Sequence, residues 1–209
     1  MQSIDLNTWK RTTHYNFFRR MDFPHYNICL NIDITHFMKK IKEKQLPFYY
    51  AMIYAATHVV NQVEELRYRI RGEQVVLHDK VHPVFSDLLE GEDYFKMVAV
   101  DMEDSIEDFV FRAEEKSKKQ KDYFPMEELA GRDEMIFITC IPWGAFTSLS
   151  HTMSFEKDNS IPRIAWGKFF KDKDKVMLPF SVEVHHSFAD GSHVGRYIDR
   201  LQDYLNTFE

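Results

Sequence analysis

The chain has 209 residues, 44% hydrophobic and 15% aromatic, with 18 Phe, enough apolar material for one packed domain. No run of about 18 apolar residues exists, so a membrane span is not expected. The formal net charge is -6 and no Lys/Arg cluster is interleaved with exposed aromatics, which disfavours nucleic-acid binding.

The N-terminal MQSIDLNTW carries an acidic residue and lacks the apolar centre of a signal peptide. Trp9, Arg11 and the run His14-Tyr15-Asn16-Phe17-Phe18 predict a helix and loop packed on a core. Tyr26 to Asn31 reads as a strand. Asp33 or Thr35 caps an amphipathic helix with Ile34, Phe37, Met38 and Ile41 on one stripe. A more apolar helix from about Phe48 to Glu65 is predicted to lie buried under a sheet. Arg67 to Ile70 and Gln74 to Leu77 flank Arg71-Gly72-Glu73 as a hairpin. Val84 to Leu88 and Phe95 to Val100 read as strands. The helix from Ile106 to about Lys121 has a short apolar stripe and a charged, solvated end.

Phe124-Pro125 opens a loop, and Met135 to Cys140 is a strand leading into Ile141-Pro142-Trp143. Phe146 to Met153, Ile164 to Phe170 and Val176 to His185 complete the predicted strands. Cys29 and Cys140 lie in apolar, strand-like stretches and read as buried thiols of a reducing compartment, hence a cytoplasmic protein. No repeat or linker divides the chain, so residues 1–209 are expected to form a single α+β domain, with helices covering one large mixed sheet.

The chemistry centres on Glu183 to His193, EVHHSFADGSH. By strand alternation Val182, Val184 and His186 share the apolar side, while Ser181, Glu183 and His185 point the other way. The two histidines therefore cannot form a metal pair on one face. After the Asp190-Gly191 turn, Val194, Tyr197, Ile198, Leu201 and Leu205 recur at helical spacing. A neutral imidazole held at such a strand-turn-helix junction can act as a base. Packing alone is the other reading: a core histidine at 186 and a helix N-cap at Asp190.

HHSFADG fits the HHxxxDG signature of the chloramphenicol acetyltransferases, within the CoA-dependent acyltransferases. The likeness extends to Trp9, Arg11, the DFPHY region, FYYAMIYAATHVVNQVEELR, Tyr94-Phe95, FITCIPW and GRYIDRLQDYL, in the family's order. It implies that family's fold, a two-layer sandwich, and trimers whose active sites lie between subunits, the base of one facing the pocket of its neighbour. It also implies transfer of an acetyl group from acetyl-CoA to the hydroxyl of a small-molecule acceptor in a ternary complex, without a metal or an acyl-enzyme.

By the same resemblance His186 is the general base, with its other nitrogen tied to a carbonyl. Thr139 stands where the family has an oxyanion-binding Ser, and Asp190 pairs with Arg11 to hold the catalytic loop. Trp143, Tyr49, Lys168 and Phe169 match the coenzyme channel. Phe17, Phe18, Phe95 and Phe124 keep an aromatic acceptor lining. The pocket also departs from the family pattern: Phe137 replaces an Asn, Ala165 a common Thr, and Ser192 an aromatic. His151 and Asn159 replace apolar and tyrosine contacts, and Glu90 and Glu183 stand where Gln is frequent. Two further readings stay open: an acyltransferase with another hydroxyl or amine acceptor, and a trimeric binding protein that has lost catalysis.

Overall fold

Helical spacing and strand alternation sort this chain into two layers. The computed structural model describes residues 1–89, 91–154 and 156–209. In order these are β1 (Gln2–Ile4), α1 (Thr12–Phe18), β2 (His25–Asp33), α2 (Thr35–Glu43), α3 (Phe48–Val60), a 3₁₀ turn (Glu64–Leu66), β3 (Tyr68–Arg71), β4 (Gln74–Leu77), β5 (His82–Leu88), β6 (Phe95–Ala99), α4 (Ile106–Lys119), α5 (Met126–Leu129), β7 (Met135–Ile141), β8 (Arg163–Gly167), β9 (Phe170–Asp172), β10 (Lys175–His185) and α6 (Gly191–Thr207). The main sheet has seven strands, in the order β2-β10-β8-β7-β5-β6 with β9 on β10. It is mixed: β7 runs parallel to β5 and β8, and the other pairs are antiparallel.

One face of this sheet meets the helices. Val182, Val184, Phe180, Ile164, Trp166, Ile138 and Phe85 pack against Phe37 and Ile41 of α2, the apolar α3, Phe109 of α4, and Tyr197 and Leu201 of α6. Each fully buried aliphatic or aromatic side chain there contributes about 1.5–3 kcal/mol. At the start of α2, Asp33 takes the capping role, accepting from the Thr35 N–H at 2.9 Å. In α4, Ser105 Oγ accepts from the Asp108 N–H at 3.1 Å, and lysines fill the last turn, where the helix dipole favours cations.

The opposite face is different in kind. Register places Phe137, Arg163 and Glu183 in one row, and Thr139, Ala165 and Ser181 in the next. Polar groups therefore run across the middle of the sheet. The irregular segments 142–154 and 156–162 are tied to this face by side chains. Asn27 Nδ2 donates to Leu149 O at 2.7 Å, and ring nitrogens of His25 and His185 meet the carbonyls of Asn159 and Lys157 at 2.6 and 2.7 Å.

Several sequence expectations change here. Phe146 to Met153 is not a strand, and its Leu149 carbonyl accepts from the Asn27 side-chain amide instead of from a ladder partner. The predicted helix to Glu65 ends at Val60, where the Asn61 amide pairs with both backbone groups of Val81. Gln2–Ile4 forms an unforeseen strand that joins the β3–β4 hairpin in a separate three-stranded sheet. Both cysteines are free and only half-buried. Among the described residues no helix is long and apolar enough to cross a membrane.

Candidate active site

The HHSFADG turn is bolted to the N-terminal segment by one side chain. Arg11 donates from Nη1 and Nη2 to the two Asp190 carboxylate oxygens at 2.7 and 2.6 Å. Its Nε reaches Ser187 O at 2.7 Å and its Nη2 also reaches His186 O at 2.9 Å. A planar guanidinium suits this fork, since its donors are fixed in one plane. The contact with Arg11 holds the Asp190 carboxyl down at about 2. Asp190 is also the N-cap residue of α6, and its N–H donates to His193 Nδ1 at 2.8 Å. That leaves His193 Nε2 to carry the proton toward Glu65 Oε1, 3.3 Å away. Both the capping role and the ion pair therefore belong to Asp190.

His186 itself sits just past the end of β10, with its N–H on Pro24 O at 2.8 Å. Its ring stacks on Phe18, 3.8 Å between centroids and 6° between planes, and leans on Tyr26 at 4.6 Å. One third of the side chain is exposed, while Nδ1 is buried with no hydrogen-bond partner and lies 3.3 Å from Asp190 Oδ1. The expected carbonyl partner for that second nitrogen is thus absent among the described residues, and its nearest polar neighbour is the Asp190 carboxylate. His185 is the buried histidine of the pair, not His186. Its Nδ1 accepts from the Ser187 N–H at 3.2 Å, and burial holds the ring down at about 4, so it is neutral and structural. Strand alternation put the two imidazoles on opposite faces correctly, but both faces of β10 are covered.

Thr139 lies elsewhere. It forms part of the wall of two neighbouring cavities. The larger, of about 790 Å³, is lined by Tyr49, Phe95, Thr139, Trp143, Lys168 and Phe169, among others. The smaller, of about 420 Å³, is lined by Phe95, Phe137, Thr139, Leu149, His151 and Arg163, among others. The Thr139 hydroxyl has no protein hydrogen bond among the described residues. Tyr49 is fixed by a hydrogen bond from its hydroxyl to Ser86 O. Trp143 is 74% exposed at the rim, and its loop is held where Gly167 lets the chains touch. A Cβ at Gly167 would meet Gly144 O at 2.7 Å. Phe124 is half exposed and packs edge-on against Phe95 at 5.8 Å.

The predicted site residues therefore fall into two groups. Arg11, Phe17, Phe18, His186 and Asp190 gather at one end of the sheet, where Phe17 is 58% exposed and packs edge-on against Phe18. Thr139, Tyr49, Phe95, Phe124, Phe137, Trp143, Lys168 and Phe169 gather in the cleft. Thr139 pairs with Ala165, and Ala165 with Ser181. Two strand spacings, plus the stretch from Ser181 to His186, thus separate the backbones of Thr139 and His186 by roughly 19 Å. Of the phenylalanines expected to line the acceptor pocket, Phe17 and Phe18 lie at the His186 end of a chain and Phe95 and Phe124 at its cleft.

Of the other departures from pattern, Ala165 is fully buried, Ser192 is exposed on the first turn of α6, and Asn159 offers its carbonyl to His25 while its side-chain oxygen accepts from the Ile161 N–H at 3.4 Å. Glu90 lies outside the described residues. Sequence reading missed Tyr26, which shares the helix-side face with Val184, and Arg163, whose importance depends on register. One group with ligand-like spacing, His78, Asp133 and Glu134, has its carboxylates engaged by Arg71 and Arg132.

A family model described as chloramphenicol acetyltransferase matches residues 1–202. Chloramphenicol acetyltransferase 3 of Escherichia coli is 30% identical over 207 residues, covering 98% of this chain and 96% of its own. The chloramphenicol acetyltransferase of Klebsiella sp is 28% identical over 210 residues, covering 99% and 94%. A solved chloramphenicol acetyltransferase superposes with a TM-score of 0.90 at 25% identity, covering 98% of this chain and 99% of its own. The cubic core of the pyruvate dehydrogenase multienzyme complex matches in fold alone, with a TM-score of 0.68 at 15% identity over 99% of this chain and 92% of that one. On sequence and fold together, the chain belongs to the chloramphenicol acetyltransferase family, a family of acyltransferases.

Proposed function

We propose that the protein transfers the acetyl group of acetyl-CoA to a hydroxyl of a small acceptor, chloramphenicol or a compound of similar size. His186 Nε2 takes the acceptor's hydroxyl proton as its oxygen attacks the thioester carbon. The tetrahedral oxyanion accepts a hydrogen bond from the Thr139 hydroxyl. Collapse breaks the C–S bond, and the imidazolium returns the proton to the leaving thiolate. Arg11 and Asp190 hold the turn that carries the base and transfer no proton.

The observation that carries this reading is the Thr139 hydroxyl, free of protein partners in a wall common to two cavities. An oxyanion donor must be uncommitted in the resting protein and must face both substrates. The larger cavity suits the coenzyme: Trp143 offers a face for packing and Lys168 a charge for phosphate. The smaller suits the acceptor. Burial pushes the Cys140 thiol up to about 11, which disfavours it as a nucleophile.

A base must lie within hydrogen-bond reach of the proton it takes. A separation of roughly 19 Å across strand spacings excludes that within one chain. We therefore place His186 of one subunit against the Thr139 cleft of the next, in a homotrimer. The free cysteines suit the cytoplasm. The test is thiol release from acetyl-CoA with chloramphenicol and a panel of hydroxyl and amine acceptors. Acceptor-dependent release that His186→Ala abolishes supports the reading, whereas release that survives the substitution removes His186 from the mechanism.

A further inference from the structure

Arg163, Glu183 and His151 are polar groups at the smaller cavity that the transfer step does not use. Arg163 lines that cavity with a side chain only 7% exposed. Among the described residues its guanidinium makes one hydrogen bond, from Nη1 to Glu183 Oε1 at 3.1 Å. It also lies over the Phe137 ring, 6.0 Å from the centroid. A guanidinium has five N–H donors, so most remain unused. His151 lines the same cavity, and its Nε2 is buried with no partner. Burial first, and Arg163 second, holds that imidazole down at about 4, so it is neutral.

Such an arrangement is costly in an empty pocket. Buried charge is tolerated when its donors are met, and each unmet buried polar group calls for a partner. The apolar part of the wall, Val84, Phe95, Phe137 and Leu149, supplies none, and the hydroxyls of Ser86, Ser150 and Thr152 in the same wall make no hydrogen bond to either group among the described residues. Register puts Arg163 one strand and two residues from Thr139 on the same face, roughly 8 Å between backbones. A group held at Arg163 is therefore within one small molecule of the acyl-transfer point.

We propose that the acceptor of this enzyme carries a carboxylate, seated on the unpartnered N–H groups of Arg163 beside His151 Nε2, with its hydroxyl or amine directed to the Thr139 side of the cavity. This rests on the acyl-transfer reading of the cleft. A carboxylate matches the planar donor fork and gains charge assistance that a neutral oxygen does not. Burial pushes the Glu183 carboxyl up, and the Arg163 guanidinium beside it pulls it down.

The test compares aromatic hydroxy acids with their primary amides, which have the same shape without the charge, and with chloramphenicol as a neutral reference. Both kcat/KM from thiol release and calorimetric affinity are measured on the assembled protein. The acids are expected to exceed their amides by about 10- to 100-fold in both, as for a charge-assisted pair. Arg163→Met should erase that preference. Because this change strands Glu183, the double variant Arg163→Met with Glu183→Leu is measured beside it. Equal affinity for acid and amide, or a preference that survives in either variant, would overturn the carboxylate site. Absence of turnover with every acceptor would instead count against acyl transfer, and the calorimetric preference would still decide the carboxylate.

Discussion

His186, just past the end of β10, and Thr139, within β7, differ in what the side chains around them are bonded to. Around His186 the turn is wired shut through its carbonyls and Asp190, although Nδ1 of His186 and the hydroxyl of Tyr26 are buried without a partner among the described residues. Arg11 spends its donors on Asp190 and on the carbonyls of His186 and Ser187, while His185 and His193 fix neighbouring loops. Around Thr139 the groups are left open: among the described residues its own hydroxyl, His151 Nε2 and most of the Arg163 guanidinium lack protein partners. The base proposed at His186 has to be held in one place, and the Arg11 fork holds the turn that carries it. A binding cleft works by having something to offer, so its donors wait for a ligand. The wired region spends its guanidinium donors on the turn, and the open one leaves donors free for a ligand among the described residues.

Breaking the wired region at its centre should have the largest effect. His186→Ala is expected to lower acetyl transfer by about 10²- to 10⁴-fold without unfolding, read by thiol release and circular dichroism. In the open region, Thr139→Ala should cost about 10²- to 10³-fold in kcat, whereas Thr139→Ser, which keeps the hydroxyl, should retain activity. A Ser variant as slow as the Ala variant would mean that the Thr methyl, and not its hydroxyl, matters.

Arg11→Ala separates support from chemistry. It strands Asp190 and two carbonyls, so thermal or urea denaturation should show a loss of about 2–3 kcal/mol, less than for a fully buried pair because Asp190 is a third exposed. Lost activity with an unchanged melting curve would show that Arg11 acts on substrate instead of on the turn.

The smallest effect is a pH dependence. The Asp190 carboxyl is depressed from its ordinary value of 3.8 to about 2. Its contribution is therefore present above pH 4 and is lost as pH falls toward 2. The stability gap between the wild type and Asp190→Asn, measured by denaturation at successive pH values, should narrow across that interval. A constant gap would contradict the Arg11–Asp190 pairing.

What could be read from sequence follows the same division. The HHSFADG turn, the α6 stripe and the Arg11–Asp190 pair are either local in sequence or carried by a recognisable motif. The Arg163–Glu183 pair depends on β8 lying beside β10, and the wall formed by Phe137 and Arg163 depends on β7 lying beside β8. No spacing along the chain reveals either. The segment from Phe146 to Met153 has strand-like composition, yet it is irregular and one of its carbonyls is met by Asn27, far away in sequence. The phenylalanines divided for a geometric reason: Phe17 and Phe18 belong to α1, at the His186 end, while Phe95 and Phe137 belong to β6 and β7 in the cleft.

The most direct test of a site shared between subunits is complementation. His186→Ala and Thr139→Ala chains are each expected to be nearly inactive as homotrimers. Co-assembled in equal amounts, with mixing verified by two affinity tags, they should recover about a quarter of the wild-type rate, since every mixed trimer contains one interface with both residues intact. Mixed trimers no more active than either parent would contradict the shared site.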